Sequence, residues 1–152
     1  LNLSEIMECT RYCYLAVCSE LPEWPAYRKY HMADIGQTIH RRSDVILKRL
    51  FIVTKDQKYS AQDDYIKLIK YHAERGVDVR IVYSNHVEDR LDIPNNFSII
   101  DFRLSHVLMN EDGYPKSVLV FNTSCIERYY ASWLHLFANS VSLNEFMQNM
   151  EI

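Results

Sequence analysis

The chain has 152 residues, 17 Lys and Arg against 20 Asp and Glu, and a net charge of −3. That is the length of one domain. With 48% hydrophobic and 12% aromatic residues and only 3 Gly and 4 Pro, a disordered or low-complexity chain is excluded. A weakly acidic balance without a basic block excludes a non-specific nucleic-acid coat, and no apolar run approaches the roughly 20 residues that span a bilayer. No signal-peptide pattern opens the sequence. The first residue is Leu1 rather than Met, so 1–152 is read as a single domain excised from a longer protein.

The four cysteines are Cys9, Cys13, Cys18 and Cys125. Their number permits disulfides, but three of them lie in or beside one apolar segment and read as small buried hydrophobes with inert thiols. There is no Cys-x-x-Cys pair and no His pair at finger spacing, so neither a metal nor another cofactor is expected. A reducing, cytoplasmic location follows from this usage.

In chain order, Asn2–Arg11 predicts a helix capped by Ser4, and Tyr12–Cys18 a buried strand. Leu21–Pro25, with two prolines around Trp24, is a loop. Ala26–Arg42 predicts a helix with Tyr30, Ala33, Ile35 and Ile39 inward, weakened by Gly36. Asp44–Thr54 is the strongest strand, apolar on both faces as in a doubly covered sheet. Ser60 with Asp63 opens a helix, Gly76 follows its end, and Tyr65, Leu68, Ile69 and His72 form its inner stripe. Val77–Tyr83 is a strand, and this β–α–β run predicts a right-handed parallel crossover.

Ser84–Asn96 is a loop and Phe97–Asp101 a strand, with Arg103–Met109 either its continuation or a separate strand. Asn110–Pro115 contains Asp-Gly, a hairpin turn, and Lys116–Asn122 returns as a strand. Ser124 with Glu127 opens a helix carrying Ile126, Tyr130, Trp133, Phe137 and Val141 on one face, and Ser142 with Glu145 opens a short last helix. The expected fold is α/β: a mixed, mostly parallel sheet with a late antiparallel hairpin and helices on both faces.

No Gly-rich phosphate loop, Gly-x-Ser-x-Gly elbow or His-Glu-x-x-His helix is present. Candidate ligand-binding residues are the charged and polar side chains in otherwise apolar strands: Arg49, Arg80, Asp101, Arg103, His106 and Asn122. Each has a structural alternative. Arg49 and Arg80 can face water at strand ends, Asp101 can pair with Arg103 across i, i+2, and Asn122 can open the following helix. His72 reads as a core histidine, and Tyr129, Tyr130 and Trp133 as core aromatics.

Ser105–Ser124 resembles the phospholipase D-like superfamily, whose active members carry His-x-Lys, four residues, Asp, six residues, then Gly-Ser-x-Asn. With the final Asn on Asn122, the Asp falls on Asp112, Gly-Ser on Leu119 and Val120, His on Ser105 and Lys on Val107. The order of strand Ile46–Val53, a helix, and Glu74–Val82 is similar to the superfamily as well. The resemblance implies a phosphate-binding cleft and pairing of two copies around it. It also implies a catalytically inactive member, because the nucleophilic histidine and the phosphate-stabilising lysine are replaced. The expected function is therefore recognition of an anionic small molecule, a phospholipid headgroup or a partner protein, by a homodimer. Two alternatives stand beside it. One is a phosphodiesterase or nuclease using His106, although one residue of offset turns that side chain to the other face of its strand. The other is a plain protein-interaction module with an apolar patch around Trp24 or the terminal helix.

Overall fold

The computed structural model describes residues 3–20, 33–38, 41, 44–87, 93–112 and 114–150. Trp24, Tyr30, Ile39 and Gly113 lie outside them, and so do most of the predicted helix Ala26–Arg42 and the loop Leu21–Pro25. The helices are α1 (Leu3–Glu8), α2 (33–38), α3 (Asp64–Glu74), α4 (Thr123–Ala138) and α5 (Leu143–Met150). The strands are β1 (Cys13–Cys18), β2 (Ile46–Val53), β3 (Asp78–Tyr83), β4 (Phe97–Ile100), β5 (Leu104–Glu111), β6 (Tyr114–Val120) and β7 (Val141–Ser142). They form one sheet in the order β6-β5-β4-β1-β2-β3-β7.

Only β1–β2 and β2–β3 are parallel, whereas β1–β4, β3–β7, β4–β5 and β5–β6 are antiparallel. The sheet is mixed and mostly antiparallel, which corrects the expectation of a mostly parallel sheet with only a late hairpin. The cause lies in the connection after β3. A parallel return needs a crossover element, usually a helix. Among the described residues between β3 and β4 there is only a single 3-10 turn, Ser84–His86. The chain therefore re-enters at the end of β1 where it left β3, with Phe97 beside Val17, and runs the opposite way.

Two apolar layers sandwich the sheet. Tyr14, Ala16, Leu47, Phe51, Val53, Val79 and Ile81 pack against Ile6 and Met7 of α1, Ile35 of α2, Tyr65, Ile66 and Ile69 of α3, and Phe146 of α5. Cys13, Leu15, Val17, Leu50, Ile52, Val82, Ile99 and Val107 pack against Ile126, Tyr129, Trp133 and Leu136 of α4. Burying each of the larger aliphatic and aromatic side chains among these contributes roughly 1.5–3 kcal/mol. These layers are called the α3 face and the α4 face below. The period-2 alternation of β1 assigns its even residues to the α3 face and its odd residues to the α4 face.

Several local signals take a different form from the sequence reading. Ser60 donates its N–H to Asp63 Oδ2 at 2.7 Å, so this pair closes the turn before α3, which begins at Asp64. Gly76 follows that helix with φ 87°, the left-handed conformation glycine adopts without strain. Asn122, not Ser124, caps α4: its Oδ1 accepts from the Cys125 N–H at 3.1 Å. The inner face of α4 uses Tyr129 and Leu136, and Val141 has left the helix for β7. β4 and β5 are separate strands joined by a tight turn in which Asp101 and Phe102 have φ 53° and 57°. Gly36 has a packing reason, since a Cβ there would meet Leu47 Cδ2 and Val77 Cγ2 at 3.3 Å.

Candidate functional site

The strand registers place four residues in one line across the sheet: Arg49 opposite Ala16, Ala16 opposite Ser98, and Ser98 opposite His106. All four belong to the α3 face. Neighbouring strands stand about 4.8 Å apart, so Arg49 and Ser98 flank Ala16 on either side. The row is buried: Arg49 is 7% exposed, Ser98 3% and His106 7%.

Arg49 reaches over β1. Its Nη1 donates to Cys18 Sγ at 2.8 Å, and its Cζ lies 5.6 Å from the ring centroid of Tyr14. Tyr14 and Cys18 bracket Ala16 along the strand, and Ala16 presents only a methyl group to this face. Arg49 Nε is buried with no hydrogen-bond acceptor, and so is Ser98 Oγ. Among the described residues no carboxylate pairs with Arg49; the ion pairs there are Lys48–Asp78 and Arg75–Asp34. Burial opposes the guanidinium charge, but Cys18 and Tyr14 outweigh it and hold the proton affinity above the usual arginine range. An arginine keeps its charge at pH 7, and here it does so without a carboxylate partner among the described residues, an arrangement that costs several kcal/mol unless an anion offsets it.

His106 titrates at about 4, pushed down by burial, so its ring is neutral at pH 7. Its neighbours Ser105 and Val107, at the His and Lys positions of the phospholipase D-like pattern, belong to the α4 face. Ser105 Oγ donates to the Ser98 carbonyl at 2.8 Å, and Val107 is in the apolar layer. The offset that turns His106 away from those two positions thus turns it onto the face of Arg49.

The other candidates are elsewhere. Arg80 is on the α4 face, where its Nε donates to Ser140 Oγ at 2.7 Å and its Nη2 to the Ser140 carbonyl at 3.0 Å, with Cζ 5.1 Å from the Phe137 ring. It braces the end of α4. Asp101 is half-buried at the opposite end of the sheet and accepts the N–H groups of Arg11, Tyr12 and Cys13 at 3.0, 2.7 and 2.9 Å. It does not form the expected ion pair with Arg103, which is exposed in the same turn. Asn122 is the α4 cap. Asp112 is exposed in the β5–β6 turn with φ 52°. His72 packs edge-on against Phe51 at 5.3 Å, a core position.

Of the six predicted residues, the structure brings only Arg49 and His106 to one row. Sequence reasoning missed Ser98 and Cys18 as their companions. The alternation of β1 carried part of the signal, because Cys13 and Cys18 differ in parity and must face opposite sides. Among the described residues no group of three His, Cys, Asp or Glu side chains gathers to hold a metal ion, and no helix is long and apolar enough to cross a membrane. No protein-family model matches the chain, and no curated protein matches it.

Proposed function

We propose that this chain is a catalytically silent recognition domain that binds a small oxyanion through Arg49. The observation that carries the reading is the guanidinium itself: buried, charged, without a carboxylate among the described residues, and with Nε lacking an acceptor. Ser98 Oγ, also without a partner, is a second donor in the same row, two strands from Arg49, whereas His106 stands one strand further on and is too distant to share a small anion with Arg49. The phospholipase D-like resemblance supports only the missing nucleophile, because Ser105 and Val107 stand where its reactive pair would be; those positions project from the α4 face, so the oxyanion affinity proposed on the α3 face rests on Arg49 alone. A phosphate or carboxylate group is the matching chemistry, since the free edge of an arginine donates two parallel hydrogen bonds to two oxygens side by side.

The test is thermal denaturation with inorganic phosphate, inositol phosphates, nucleotides and a dicarboxylate. A ligand at 100 times its dissociation constant stabilises by about 2.7 kcal/mol. Arg49→Met is expected to abolish that rise while leaving the unliganded protein as stable or about 1 kcal/mol more stable, because it removes a buried charge and keeps the volume. Arg80→Met, on the other face, should keep the response. A screen with no response, or an Arg49→Met variant that still responds, overturns the reading. Phosphodiester turnover lost in His106→Ala would replace it with an enzymatic one.

A further inference from the structure

We propose that the anion held by Arg49 is a monocarboxylate, one of its oxygens accepting from Arg49 Nε and the other from Ser98 Oγ. This inference rests on the oxyanion reading above and narrows it to one chemical class.

The supply of donors separates the classes. Arg49 Nε and Ser98 Oγ are both buried and both without a hydrogen-bond partner, on side chains that are 7% and 3% exposed. Nη1 is already engaged with Cys18 Sγ at 2.8 Å, and the Nε–H points away from that sulfur. Arg49 stands beside Ala16 on one side and Ser98 on the other. Ala16 presents only its methyl group between them, bordered along β1 by Tyr14 and Cys18. A carboxylate has two acceptor oxygens, which match these two donors. A phosphate monoester brings a third oxygen to the same place. That oxygen would be buried without a donor against a methyl, a ring and a sulfur, and an unpaired polar atom there is costly. A phosphodiester matches in charge, but two substituents leave its phosphorus where one leaves a carboxylate carbon, and Tyr14 and Cys18 border the seat on both sides.

Charge selects the same class. Arg49 is the one cation among the four residues of the row. Lys48 projects from the other face of β2, Arg80 is held on the α4 face by Ser140, and Arg75 is paired with Asp34. His106 is neutral at pH 7. A carboxylate brings a single negative charge, so the buried pair is neutral as a whole. A phosphate monoester brings about 1.5–2 negative charges at pH 7, and the excess would be buried without a cation to meet it.

The experiment follows thermal denaturation of the full chain at constant ionic strength, titrated with acetate, benzoate, inorganic phosphate, phenyl phosphate and dimethyl phosphate. Dissociation constants come from the concentration dependence of the melting temperature. Benzoate and phenyl phosphate share one ring and differ in the acidic group, and benzoate is expected to bind at least about tenfold more tightly. Acetate should likewise bind more tightly than inorganic phosphate or dimethyl phosphate. Ser98→Ala should weaken benzoate by about tenfold, the loss of one hydrogen bond to a charged group, and should melt no lower than the wild-type chain without ligand, because it removes a buried hydroxyl that has no partner. Phosphate compounds that bind as tightly as the carboxylates overturn this inference; if that response is lost in Arg49→Met, the oxyanion reading still stands. Unchanged benzoate binding in a Ser98→Ala chain that melts normally also overturns it. No response to any of the five probes overturns both. If Ser98→Ala does not fold, the ranking of benzoate against phenyl phosphate in the wild-type chain decides.

Discussion

His106 makes the residue scale measurable through pH. Its folded pKa of about 4 is below the ordinary 6.5 of an unfolded chain, so between those values the unfolded state binds the extra proton. Stability from this group is complete above pH 6.5 and is lost as the pH falls toward 4, by about 3 kcal/mol over the window. Denaturant titrations at pH 7 and pH 4.5 should show a larger loss for the wild-type chain than for His106→Gln. Equal losses would mean that the imidazole is solvated. The residue scale is also where the sequence was least complete. Arg49 and His106 were legible as charged or titratable side chains among apolar ones. Ser98 and Cys18 were not, because nothing in their own neighbourhoods distinguishes them from ordinary core residues. Their meaning arises only from the register that places Arg49 across from Ala16.

At the scale of elements, Asp101 joins the β4–β5 turn to the entry of β1. Its carboxylate accepts three main-chain N–H groups, the first of them 90 positions away in the chain, and its backbone is in the left-handed region. Asp101→Ala loses the acceptors and adds strain, and should cost about 2–3 kcal/mol in urea unfolding. Asp101→Asn, which tolerates that conformation and keeps one acceptor, should cost less. Equal costs would place the effect in the backbone alone. The elements themselves were largely legible. β2 announced itself by an unbroken apolar run, α3 by its stripe and by Gly76, and α4 by its spacing. The caps were misplaced by a residue or two because several Ser, Thr and Asn in a row compete to open α4, and only the packing of Tyr129 and Trp133 decides its phase. The two-residue β7 is too short for any periodic signal.

At the scale of the whole molecule, the parallel half was readable and the antiparallel half was not, because direction depends on what the connection after β3 contains. The topology leaves β1 with one neighbour from the early chain, β2, and one from the late chain, β4. A chain ended after residue 87 keeps β1, β2 and β3 but leaves the apolar edge of β1 unpaired and the α4 face uncovered. Such an edge is a template for association, and the fragment should elute as aggregates on size exclusion where the full chain does not. A monomeric fragment with a cooperative melt would show that the parallel half closes on its own.

The indole of Trp133 gives this architecture an optical consequence. Its Nε1 donates to the carbonyl of Ala16 at 3.2 Å from the α4 face, while the methyl of the same residue lies between Arg49 and Ser98 on the other. One peptide unit thus belongs to both layers. Anything that displaces the main chain beneath the guanidinium changes the hydrogen bond of a buried fluorophore. The molecule has 2 tryptophans, and a Trp24→Phe chain would report through Trp133 alone. Events on one side of the sheet would then be followed as light emitted from the other.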